Sequence, residues 1–76
     1  MTAANNRAVL STQIILAIID GPGLYKSKHA TIFRTGSPTT PFAICYEGVH
    51  GGVELYDKLT DAVGDYVELA TKYNWE

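Results

Sequence analysis

The sequence predicts an α+β fold: a two-layer domain with a three-stranded antiparallel meander between an N-terminal and a C-terminal helix, in the order α-β-β-β-α. Three observations predict it. The last third of the chain carries an apolar stripe at helical spacing, the middle holds three short β-rich segments between turn signals, and a Gly-Pro pair closes a long apolar segment near the start. Residues 1–76 have room for a single small core, so one domain is expected.

The N-terminal segment has two solutions. As a helix it runs from about Ala4 to Asp20, with an alanine-rich lead and a stop at Gly21-Pro22. As a strand, Thr12 to Ile19 turns through Asp20-Gly21-Pro22-Gly23 into the next segment, giving β-β-β-β-α. The β-branched residues Thr12, Ile14, Ile15, Ile18 and Ile19 favour this alternative. The stop signal and the segment length favour the helix. A type II turn at Gly21-Pro22-Gly23-Leu24 also matches hairpin twist poorly.

Three strands follow. His29-Ala30-Thr31-Ile32-Phe33-Arg34 is β-branched and aromatic, and Thr35-Gly36-Ser37-Pro38 closes it. Phe42 to Glu47 starts after Pro41 and alternates large side chains at Phe42, Ile44 and Tyr46. Val53-Glu54-Leu55-Tyr56 alternates again and is entered through a segment with Gly48, Gly51 and Gly52. Short connections favour antiparallel neighbours. Tyr46 and Tyr56 are expected to stack across the last hairpin.

The final helix is expected from about Thr60 to Tyr73. Leu59, Ala62, Val63, Tyr66, Val67, Ala70 and Tyr73 form its apolar stripe, while Asp61, Asp65, Glu68, Thr71 and Lys72 take the other side. Thr60 is the expected N-cap. Asp61 and Lys72 suit the two ends of the helix dipole, and Glu68 is spaced to pair with Lys72. Trp75 either folds back over the helix end or marks a contact surface.

Composition excludes several classes. The chain is 46% hydrophobic with a net charge of −2, which argues against disorder, a strongly basic nucleic-acid binder and an acidic nucleic-acid mimic. The single Cys45 excludes an internal disulfide and a cysteine-rich zinc site. The apolar run from Ile14 to Ile19 is far below the roughly 20 residues of a membrane span, so no membrane association is expected. With no leader pattern at its start, the protein is expected in the cytoplasm.

Catalytic and metal signals are weak. Cys45 with His29 or His50 is the one conceivable thiol–imidazole pair, but a mid-strand cysteine is ordinarily a small buried hydrophobe. The two histidines and Cys45 lack metal-ligand spacing, and neither glycine cluster has the Lys-Ser/Thr ending of a phosphate loop. No catalytic residue, metal or cofactor is assigned, and a non-enzymatic protein is expected.

The predicted element order resembles that of double-stranded-RNA-binding domains, in topology alone. Those domains carry a basic cluster where the last helix begins. Here that turn reads Asp57-Lys58-Leu59-Thr60-Asp61, so the phosphate-binding feature is missing and nucleic acid is not the expected partner.

Charge is unevenly spread. Residues 1–46 carry Arg7, Lys26, Lys28 and Arg34 against Asp20, a net of +3, and residues 47–76 carry −5. The candidate partner-binding residues are Tyr25, Lys26, Lys28 and Arg34, the densest polar-aromatic cluster, set to meet an acidic protein surface. Asp61, Asp65 and Glu68 are the next candidates. The segment from Ile14 to Ile19 is apolar in every direction, more than one helix-on-sheet layer can cover, so a homodimer is expected.

The expected function is therefore a protein-binding module, of the small kind that phages and mobile elements encode to inhibit a host or defence protein. The alternatives are an oligomeric small-ligand or nucleotide binder and a weak nucleic-acid binder acting through the Tyr25–Arg34 patch.

Overall fold

The computed structural model describes residues 3–48 and 51–75. The elements are α1 (Ala3–Ile19), β1 (Leu24–Lys26), β2 (Ala30–Arg34), β3 (Phe42–Tyr46), β4 (Val53–Tyr56) and α2 (Leu59–Lys72). The strands form one antiparallel sheet in the order β1-β2-β3-β4, with both helices on one face. The α+β architecture with flanking helices is the expected one, and the sheet gains a fourth strand, β1. Three residues are too few to show alternation; β1 exists because Leu24, Tyr25 and Lys26 pair with Phe33, Ile32 and Thr31.

The N-terminal segment is helical. Gly21 ends it: a Cβ there would stand 2.9 Å from the Ala17 carbonyl oxygen, so only glycine allows the chain to turn this closely. Pro22 bars any continuation, and the Gly23 amide donates to the Ala17 oxygen at 2.9 Å as the chain drops into β1.

The core lies between helices and sheet. Leu10, Ile14 and Ile18 of α1 meet Ala62, Val63, Tyr66, Val67 and Ala70 of α2 over Ala30, Ile32 and Ile44 of the sheet. On the opposite sheet face, strand alternation puts Leu24, Phe33, Ala43 and Leu55 in one cross-strand row and Lys26, Thr31, Cys45 and Val53 in the next.

Three local expectations are corrected. The N-cap of α2 is Lys58 and not Thr60; Lys58 is extended (φ −124°) and its side chain caps nothing. Starting one residue earlier brings Leu59 against the core. Tyr73 is 59% exposed rather than part of the buried stripe, because the helix ends there and Trp75 takes the place against the core. Tyr46 and Tyr56 are not cross-strand partners: Tyr56 lies opposite Phe42, and its hydroxyl turns to Glu54 and Asp65.

Candidate functional site

The β1–β2 turn is built by Ser27. Its amide donates to the Ala30 carbonyl at 2.9 Å, and its hydroxyl accepts from the amides of His29 and Ala30 at 3.3 and 3.2 Å. This pins a two-residue tip, so Lys28 and His29 project from a fixed support.

The end of α2 arrives beside it. Asn74 takes a left-handed backbone (φ 54°), the Trp75 amide donates to the Ala70 carbonyl at 2.9 Å, and the Asn74 amide reaches the Thr71 carbonyl at 3.4 Å. These two bonds are the pattern of a helix closed by a left-handed residue, which places the following side chain against the last turn. Trp75 is thereby folded back. Its ring stacks on His29 with centroids 5.7 Å apart and planes 18° from parallel, and it meets Tyr66 edge-on at 5.5 Å. Tyr66 in turn contacts Tyr25 edge-on at 6.0 Å and donates its hydroxyl to the Ala30 carbonyl at 3.2 Å. An aromatic chain therefore joins the sheet, the core and the helix end.

These groups enclose an open cleft of about 460 Å³ lined by Tyr25, Lys26, Ser27, Lys28, His29, Asn74 and Trp75. Three of the four residues singled out from sequence, Tyr25, Lys26 and Lys28, stand together here. Arg34 does not. It lies at the other end of β2, where its amide bonds the Gly23 carbonyl at 3.0 Å, three residues or roughly 10 Å along the strand from the Lys26–Thr31 pair. His29, Asn74 and Trp75 complete the cleft. The signal for the last two was an asparagine directly after a helical stripe followed by a large apolar residue.

A second polar cluster lies across the sheet. The Tyr56 hydroxyl is 2.8 Å from Glu54 Oε2 and 2.9 Å from Asp65 Oδ2. Burial, then the hydrogen bonds to both carboxylates, push Tyr56 well above the usual phenol range. Tyr46 is also raised, chiefly by burial and then by the charge of Glu54.

Register sets His29 opposite Glu47, whose amide donates to the His29 carbonyl at 2.9 Å, while Cys45 sits between Thr31 and Val53. The His29 ring is engaged by Trp75, and His50 lies outside the described residues. Among the described residues no three His, Cys, Asp or Glu side chains are grouped to hold a metal. No described helix is long and apolar enough to cross a membrane.

The fold and cleft thus define a small α+β domain with a basic, aromatic-walled recess. No protein-family model, curated protein or solved structure matches the chain.

Proposed function

We propose that this protein is a non-enzymatic protein-binding module of the cytoplasm that seats an acidic segment of its partner in the β1–β2 cleft. The observation that carries this is that Lys26 and Lys28 flank a recess lined by Trp75 and Tyr25. The lysines supply attraction and fast encounter, and the rings supply contact area already ordered before binding. A small binding domain of this kind suits an inhibitor of a host or defence protein carried by a phage or mobile element. Capture from a host lysate should recover one stoichiometric protein. The double variant Lys26→Glu, Lys28→Glu should lose it while keeping its fold, because both side chains are exposed. Equal capture by wild type and variant removes the cleft from the account.

The outer face of α1 supports self-association as well. Leu16 is 55% and Ile19 63% exposed, beside Val9 and Ile15, whereas Ile14 and Ile18 on the inner face are fully buried. A helix apolar on both sides is stabilised by a second covering surface, and we assign that role to a second copy.

A small-ligand reading of the same cleft is favoured by its volume, which lies in the range of metabolite sites of about 300–1,000 Å³. A nucleotide that raises the melting temperature would support it over a protein partner.

A further inference from the structure

β4 is the last strand of the sheet, and no described strand lies beyond it. The hydrogen-bond phase shows which of its backbone groups face outward. The Tyr46 amide donates to the Gly52 carbonyl at 2.8 Å, so Gly52, Glu54 and Tyr56 direct their backbone groups toward β3. The N–H and C=O groups of Val53 and Leu55 therefore face the open edge. Such an edge is a template for another strand unless something blocks it. β1, the opposite edge, is three residues long, follows Gly21-Pro22-Gly23 and carries Lys26. β4 has neither proline nor lysine, and its Val53 and Leu55 side chains are 56% and 59% exposed.

The side chains flanking this edge differ by face. On the outer face an added strand would meet Val53 and Leu55. On the helix face it would meet Glu54, with Asp65 and Tyr56 hydrogen-bonded beside it. Two carboxylates there share the one proton of the Tyr56 hydroxyl, which leaves acceptor capacity for a cation from the incoming strand. The same carboxylates oppose a second copy of β4, since symmetric pairing would bring both acidic pairs together. We propose that β4 is a docking edge for an extended segment of a partner protein in which apolar and basic residues alternate, added as a fifth strand with its basic side chains over Glu54 and Asp65. This surface lies across the sheet from the cleft and does not depend on it.

The test uses the full chain and two end-blocked pentapeptides, one alternating valine with lysine and one valine with glutamate, followed by amide NMR shifts. The lysine peptide should shift the Val53 and Leu55 amides, and the glutamate peptide should bind about tenfold or more weakly. Leu55→Pro should abolish binding and leave the β3–β4 ladder intact, because the amide it removes faces outward. Glu54→Lys should invert the preference between the peptides, which keeps the test decisive if the proline variant fails to fold. Equal binding of both peptides, or shifts located elsewhere, would overturn the proposal. So would a concentration-dependent dimer that Leu55→Pro dissolves, since a second copy would then own the edge.

Discussion

Trp75 lies flat on His29, their ring centroids 5.7 Å apart, and this contact ties the end of α2 to the tip of the β1–β2 turn. The two residues come from opposite ends of the β-α half of the chain. Their meeting depends on the reversal at Asn74, and without it the cleft would lose a wall.

Asn74 should therefore tolerate glycine and reject a β-branched residue. Asn74→Gly keeps the left-handed backbone at little or no cost, whereas Asn74→Val should lower stability by about 1–2 kcal/mol. Urea unfolding of the two variants checks this. A valine variant as stable as the glycine variant would mean the helix can end another way.

The core contribution of α2 has two graded tests. Val67 is buried among apolar neighbours, so Val67→Asp should unfold the domain, which circular dichroism reads directly. Tyr66→Phe should cost only about 0.5–1.5 kcal/mol. The Ala30 carbonyl it abandons still accepts from the Ser27 amide and hydroxyl.

Alkaline pH should destabilise the fold through Tyr56. Its folded pKa lies above the unfolded value of about 10, so the folded state holds its proton where the unfolded state releases it. The stabilisation is complete below pH of about 10 and declines as pH rises beyond it. Tyr56→Phe should flatten this decline, measured as unfolding free energy against pH. An identical slope in the variant would place the effect on another group.

Much of this fold was legible because local signals and tertiary demands agree. Val53 to Tyr56 alternates, is entered through glycines, and is β4 residue for residue. The Gly21-Pro22 stop correctly outweighed the β-branched content of α1, whose Ile14 and Ile18 are buried as a helix would bury them. β1 was illegible because its pairing with β2, and no pattern of its own, makes it a strand. Arg34, expected at the far end of the strand after the Tyr25–Lys28 loop, ends β2, and so stands away from the turn. Tyr25, Lys26 and Lys28 were recoverable since they are nearly contiguous, whereas the position of Trp75 depends on how the helix ends.

The outer strip of α1 predicts the oligomeric state. The chain should sediment as a dimer at micromolar concentration, and Leu16→Glu with Ile19→Lys should make it a folded monomer, because neither side chain is in the core. A monomeric wild type would remove the second copy from α1.

The cleft can be watched directly, because Trp75 is the one tryptophan in the chain and lines it. The decisive measurement is a fluorescence titration with an end-blocked oligoglutamate peptide, repeated at rising salt and with the Lys26→Glu, Lys28→Glu variant. A saturable change in Trp75 emission that weakens with salt and vanishes in the variant is the predicted result. Emission that ignores the peptide, or that responds identically in the variant, would contradict the assignment of this cleft to an acidic partner.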